Sequence, residues 1–150
     1  MMSNSTAWRK QNPERAKATQ QAWQAKNPGY GKRMYALRKA RSKKDITVSF
    51  GGIIDNSKYR AKKNGIEHTL TIEELGTIYK KQKGLCALTG KKMKTVMGSG
   101  HYMMSPDRIN SKKGYTAKNV QLTLSIANKM KQDLTTAAFV KLCKAVVEYH

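Results

Sequence analysis

Positive charge is distributed along this chain in a way that limits where a core can form. Thirty Lys and Arg oppose nine Asp and Glu, giving a formal net charge of +21, and residues 1–44 alone hold twelve of those bases against one acid, Glu14. A segment so polar, with few aliphatic residues between its tryptophans, buries too little apolar surface to stand as a folded unit by itself. A core is expected only from residue 45 onward, where Ile46, Val48, Phe50, Ile53 and Ile54 enter the sequence. The predicted division is a basic helical N-terminal arm over 1–44 and a domain over 45–150. A chain of 150 residues suits one domain with an appendage, since domains commonly run to roughly 100–200 residues.

An excess of charge this large implies a polyanionic partner. Neutralising phosphates releases condensed counterions, so nucleic acid is expected to bind non-specifically and to be shed as salt rises. Charge alone leaves DNA, structured RNA and an anionic membrane surface as rivals. No window approaches the run of ~18 apolar residues that a membrane span requires, so a soluble chain with no membrane partner is expected. The stretch Met1 to Thr6 lacks the apolar run of a secretory leader, which points to the cytoplasm, or to the host cytoplasm for a phage-borne gene. Cys86 and Cys143 form no CxxC pair, which argues against a disulfide framework or a four-cysteine zinc site and suggests two buried thiols.

The arm repeats itself. Ala7-Trp8-x3-Asn12-Pro13 and Ala22-Trp23-x3-Asn27-Pro28 share one pattern at an offset of fifteen. Asn can cap a following helix while Pro at its first position loses no useful N–H, so helices are predicted near 13–25 and 28–43. Within the domain a helix is expected from about Asp45 to Gly65, although Gly51-Gly52 should weaken it by up to ~1 kcal/mol each. Ile66 to Leu70 reads as a short strand. Thr71-Ile72-Glu73-Glu74 reads as a capping box opening a helix to about Gln82. A last helix is expected from about Thr135, with Leu134, Phe139, Leu142, Cys143 and Val146 forming a core-facing stripe.

The chemistry concentrates between Gly100 and Lys131. A short apolar strand leads to Asp107, a polar loop bearing Lys and Gly follows, Asn119 opens a second strand, and a helix carries Asn128 on its first turns. Such a strand–loop–strand–helix unit can bring oxygen ligands together on one hard cation such as Mg²⁺, with positions left for water and a phosphate oxygen. An Asp capping the loop explains the same residue without a metal.

Residues 84–131, about a third of the chain, resemble the HNH nucleases, also called His-Me finger or ββα-metal nucleases, in the variants borne by phages and introns. The resemblance rests on Gly84-Leu85-Cys86-Ala87-Leu88-Thr89-Gly90, then Asp107-Arg108-Ile109, Gly114-Tyr115, Asn119-Val120-Gln121, and Asn128-x-x-Lys131. It implies an α+β fold with a ββα-metal core at about 99–131 and flanking helices. By the same resemblance Asp107 and Asn128 hold Mg²⁺ or Mn²⁺, and Asn119 pins the loop and positions the catalytic residue. The implied activity is metal-dependent, one-metal hydrolysis of phosphodiester bonds in double-stranded DNA.

Two departures qualify that picture. Many relatives carry two CxxC pairs around a structural zinc, but here only Cys86 of the first pair is present, with Thr89, Leu124 and Ala127 at the other positions. No structural zinc is expected, and packing by Leu85, Leu88, Leu124 and the C-terminal helix should replace it. The second departure is Arg108, where the common residue is the His that deprotonates water. Arg stays protonated and cannot easily act as a base, but its guanidinium can clamp a phosphate. The base must come from His101, Tyr115, His68 or water activated by the metal. His101 ranks first because imidazole titrates nearest neutrality, although it lies six residues before Asp107 and needs a bend near Ser105-Pro106 to approach it.

The remaining basic residues are assigned to the DNA path: Arg9, Lys10, Arg15, Lys17, Lys32, Arg33 and Arg38 in the arm, and Lys112, Lys113, Lys118, Lys129 and Lys131 around the site. The rival readings are a catalytically inactive DNA-binding protein that keeps an HNH-like fold, and an RNA-binding protein. Homodimerisation stays open.

Overall fold

A computed structural model of the chain describes residues 6–150, so the reading of Met1 to Ser5 as lacking a leader lies outside the described residues. The chain divides into two compact units, Met1–Leu37 and Arg38–His150.

The first unit contains α1 (Thr6–Gln11), α2 (Pro13–Lys26) and the start of α3 (Tyr30–Ser42). No residue of α1 or α2 is buried. The two Asn-Pro steps use one device, but not the expected one. Asn12 Nδ2 donates to the Trp8 carbonyl at 3.1 Å, and Asn27 Nδ2 donates to the Trp23 carbonyl at 2.8 Å. Each Asn therefore reaches back to a carbonyl at the end of the preceding helix, the Trp8 carbonyl accepting from the Asn12 backbone N–H as well, and Asn12 makes no side-chain bond to the amides ahead of it. Across the second step, Gly29 takes a left-handed φ of +73°, and the Trp23 and Tyr30 rings meet edge to face at 4.9 Å.

The second unit is α+β. Its central helix is α4 (Ile46–Lys63), started by Asp45, whose carboxylate accepts from the Thr47 amide and hydroxyl; those bonds hold its pKa below the usual carboxylate value. Ser49, Phe50, Ile53, Ile54, Ser57 and Ala61 recur at helical spacing and form its buried face. The helix runs through Gly51-Gly52, where the nearest side-chain atoms, from Ile72 and Met97, would meet an added Cβ only at van der Waals range. Packing of the apolar face outweighs the local cost of the two glycines. α5 (Ile72–Lys81) carries the capping box between Thr71 and Glu74 and buries Leu75 completely. The segment before it forms a single parallel bridge, His68 to Tyr115, rather than a strand.

A 3₁₀ turn at Gly100–Tyr102 leads into β1 (Met104–Arg108), which pairs antiparallel with β2 (Val120–Leu124), and α6 (Ser125–Lys131) follows directly. Alternation along each strand divides the hairpin into two faces. Met104, Val120, Leu122 and Leu124 join Phe50, Ile53, Leu70, Leu75 and Cys86 in the core. On the other face lie Ser105 opposite Thr123 and Asp107 opposite Gln121. The outer edge of β2 is occupied by the side-chain amide of Gln82, which accepts from the Leu122 N–H at 2.8 Å and donates to its carbonyl at 2.7 Å.

α7 (Thr136–Tyr149) departs from expectation. Only Phe139 is buried, while Leu142 and Val146 are about half exposed and Leu134 is exposed, so most of the predicted stripe faces solvent. Leu85 is likewise exposed, and Cys86 takes the inner position, its Sγ accepting from the Leu124 amide at 3.2 Å. Cys143 is only half-buried. Among the described residues no helix is long and apolar enough to cross a membrane.

Candidate active site

The site is assembled on the polar face of the hairpin, beneath α6. Asn128 Nδ2 donates to Ser105 Oγ at 2.9 Å and to the Pro106 carbonyl at 3.0 Å, which seats its amide on β1 beside Asp107. One helical turn further, Lys131 Nζ lies 3.0 Å from Asp107 Oδ1 and 3.3 Å from the Arg108 carbonyl oxygen. The other carboxylate oxygen of Asp107 accepts from Gln121 Nε2 at 2.9 Å. The i, i+3 spacing on α6 and the cross-strand register therefore place four side chains on one carboxylate-centred cluster.

The cluster is almost dry. Asp107 is 3% exposed and Lys131 is fully buried. This corrects the assignment of Lys131 to the DNA path: the spacing from Asn128 turns it inward, toward the carboxylate that balances its charge. Lys112, Lys113, Lys118 and Lys129 are exposed, as are Arg9, Lys10, Arg15, Lys17, Lys32, Arg33 and Arg38. Arg38 also makes an exposed ion pair with Asp55 at 3.4 Å.

Asn119 ties the loop between the strands. Its Oδ1 accepts from the Asn110 N–H at 3.0 Å, and its Nδ2 donates to the carbonyls of Asn110 at 3.0 Å and Gly114 at 2.8 Å. The end of the loop is pressed against the backbone of Glu67, where an added Cβ on Gly114 would lie 2.5 Å from the Glu67 carbonyl oxygen. Only glycine fits there.

Arg108 leaves β1 on the face opposite Asp107. Its guanidinium carbon stands 5.3 Å from the centre of the Tyr115 ring, and Nη1 donates to the Lys113 carbonyl at 3.2 Å. Tyr115 is buried under the loop, and its other neighbour is the His68 ring at 5.5 Å. The His68 Nε2 pairs with the buried Ser57 hydroxyl at 2.8 Å, while Nδ1 is buried with no hydrogen-bond partner among the described residues. Burial lowers the His68 pKa, its own backbone carbonyl opposes that shift, and the charge of Lys58 adds to it.

His101 lies on the exposed 3₁₀ turn and makes no hydrogen bond among the described residues. β1 runs in unbroken register through Ser105 and Pro106, so the bend that would carry His101 back toward Asp107 is not formed. Sequence reading missed Gln121 and the inward Lys131, although both were available from the parity of the hairpin and the helical spacing.

Whether these residues suit a divalent cation is answered by what the carboxylate already holds. A buried carboxylate needs positive charge, and here a protein ammonium supplies it, ringed by Asp107 Oδ1 and the Arg108 carbonyl. Lys131 meets that need by itself, and among the described residues no three or more His, Cys, Asp or Glu come together in a group that could hold a metal ion.

A short antiparallel strand pair, its loop and the helix crossing it belong to a fold similar to that of a solved nuclease structure. One solved structure that the chain resembles is that of PacI, described as a rare-cutting HNH restriction endonuclease with an extraordinary mechanism of DNA perturbation. The TM-score is 0.51 at 21% sequence identity, covering 67% of this chain and 78% of PacI. No family model matches the chain, and a comparison with curated proteins gives no match.

Proposed function

We propose that the chain is a metal-dependent endonuclease that hydrolyses phosphodiester bonds in double-stranded DNA. The observation that carries the reading is the seating of Asn128 on β1 beside Asp107, which brings a side-chain amide and a carboxylate from different elements together on one face of the hairpin. Asp107 and Asn128 would hold Mg²⁺ or Mn²⁺. When bound, that ion supplies Lewis acidity at a phosphate oxygen and stabilises charge on the leaving oxygen.

The chain's own groups do the rest. Arg108 is held in a fixed orientation by the Tyr115 ring and the Lys113 carbonyl, and its remaining N–H groups are left to clamp the scissile phosphate. Asn119 keeps the loop that supplies that carbonyl in place. His101 is not the proton acceptor, because it stands on the exposed turn ahead of β1 with no bend carrying it toward Asp107, and the proton of the attacking water would pass to solvent. His68 is a poor base as well, because its Nε2 is engaged by Ser57 and its Nδ1 is buried. The exposed lysines around the loop and the basic residues of the arm would carry the DNA backbone.

One observation favours a second reading, a non-catalytic DNA-binding protein: both oxygens of Asp107 are already engaged by protein donors. Incubation of supercoiled plasmid with the purified chain separates the two. Nicked or linear product in Mg²⁺ or Mn²⁺, abolished by EDTA and by Asp107→Ala, supports the nuclease. Salt-sensitive binding with the plasmid left intact in both metals overturns it in favour of the second reading.

A further inference from the structure

We propose that His68 is a positioning residue: acting through the Tyr115 ring, its neutral imidazole sets the orientation of the Arg108 guanidinium, so that cleavage is lost when His68 takes up a proton. The inference rests on the reading of Arg108 as the clamp on the scissile phosphate. Ser57, His68, Tyr115 and Arg108 form one line of contacts from the buried face of α4 to the end of β1. Ser57 Oγ lies 2.8 Å from His68 Nε2, the His68 and Tyr115 rings are 5.5 Å apart at a tilt of 32°, and the Arg108 guanidinium carbon stands 5.3 Å from the Tyr115 ring centre. The backbone ties the same partners together. The Tyr115 N–H donates to the Glu67 carbonyl at 2.9 Å, and the Tyr115 carbonyl accepts from the Thr69 and Leu70 amides, each at 3.0 Å. Tyr115 is therefore held from both sides of His68, and a shift of that segment carries the ring with it.

Hydrogen-bond accounting fixes the tautomer. Ser57 Oγ donates its one hydrogen to the Ile54 carbonyl at 3.0 Å, which leaves it only an acceptor toward His68. Nε2 must then carry the imidazole proton. Nδ1 is left as a bare lone pair, buried with no hydrogen-bond partner among the described residues, and a second proton has to enter there. Burial opposes that step, the Lys58 charge adds to the opposition and the backbone carbonyl of His68 counters it, so the imidazole stays neutral to lower pH than usual.

The charged and titratable groups around His68 come from every side. They are Asp55 and Lys58 on α4, Glu73 in the first turn of α5, Glu67 next in the chain, and Tyr115 with Arg108 from the loop. Asp55, Lys58, Glu67 and Glu73 are exposed, and water screens them. Tyr115 and Arg108 are the pair that leads to the site. An imidazolium would compete with the guanidinium for the Tyr115 ring and add like charge beside it. Arg108 would then keep only its bond to the Lys113 carbonyl, and its free N–H groups would lose their fixed direction.

Nuclear magnetic resonance on the full chain, without DNA, tests the coupling. The imidazole resonances of His68 and the Arg108 Nε–H signal, displaced by the Tyr115 ring current, are followed from about pH 8 to about pH 5. Wild type is compared with His68→Gln, whose side-chain amide keeps a donor for Ser57 and cannot titrate. His101 and His150 remain in both proteins as controls. The Arg108 signal should move with the His68 midpoint, below 6.5, in wild type and stay still in His68→Gln. Plasmid cleavage by wild type, relative to His68→Gln, should fall about tenfold for each pH unit below that midpoint. An Arg108 signal that ignores the His68 titration overturns the inference and leaves the nuclease reading standing, as does the same pH profile of cleavage in both proteins. Plasmid left intact by wild type at every pH overturns the nuclease reading and the claim on cleavage, while the Arg108 signal still decides whether His68 positions the guanidinium. Should His68→Gln not fold, the wild-type titration decides alone.

Discussion

Replacing Asn119 by Ala tests the proposition that one side chain holds the loop beside the site. Three hydrogen bonds disappear, at 3.0, 3.0 and 2.8 Å, and the one to the Gly114 carbonyl lies in a buried setting. At a net value of about 0.5–1.5 kcal/mol per bond, with a further cost for the buried carbonyl left unpaired, the loss is about 2–4 kcal/mol. For a unit of roughly one hundred residues each kcal/mol moves the midpoint by about 4 °C, so thermal unfolding should fall by about 8–16 °C. Far-ultraviolet circular dichroism reads the midpoint, and amide exchange reports whether the Asn110 N–H, now paired to Asn119, loses protection. Asn119→Asp is a sharper variant. It keeps the acceptor for Asn110 but points a carboxylate oxygen at two carbonyls, and should cost at least as much. A midpoint for Asn119→Ala within about 2 °C of wild type would refute the argument, because it would mean the loop is held by other groups.

Gly114→Ala should destabilise more than an exposed loop substitution does, since its Cβ meets backbone rather than a movable side chain, and urea denaturation of the purified variant checks this. Arg108→Lys keeps the charge but loses the planar fork and the stacking on Tyr115; plasmid cleavage should fall by about 10²–10³-fold with little change in the midpoint. His68 has a folded pKa below its ordinary 6.5, so the unfolded chain binds more protons as pH drops. Stability contributed here is present above that value and is lost as pH falls from 6.5 through the lower folded pKa. The midpoint of wild type should therefore decline faster below pH 6.5 than that of His68→Phe. Changing Arg9, Lys10, Arg15 and Lys17 together to Gln should flatten the dependence of DNA affinity on salt, by about 0.9 in log–log slope for each phosphate that the arm no longer neutralises.

Much of this was legible from residues whose roles are local. The capping box at Thr71 and Glu74, Asp45 ahead of α4, and the pairing of 104–108 with 120–124 follow from short patterns with strong physical causes. What escaped was decided at longer range. Asn12 and Asn27 could cap in either direction, and only the placement of the preceding helix ends settles the choice. The stripe on α7 has helical periodicity, yet periodicity does not say whether a face meets a core, and only Phe139 does. Lys131 read as one more surface base because net charge biases every lysine that way. Its burial is fixed by Asp107 lying opposite, which parity along β1 and the turn of α6 encode jointly but neither encodes alone.

The Gln82 amide against Leu122 has a consequence for the whole site. A two-stranded ribbon slipped by one residue would exchange its faces, sending the acid into the oily interior and the leucines outward. By imitating a third strand for the length of one residue, an amide forty positions upstream sets the phase of the ribbon, and with it the direction in which the Asp107 carboxylate looks.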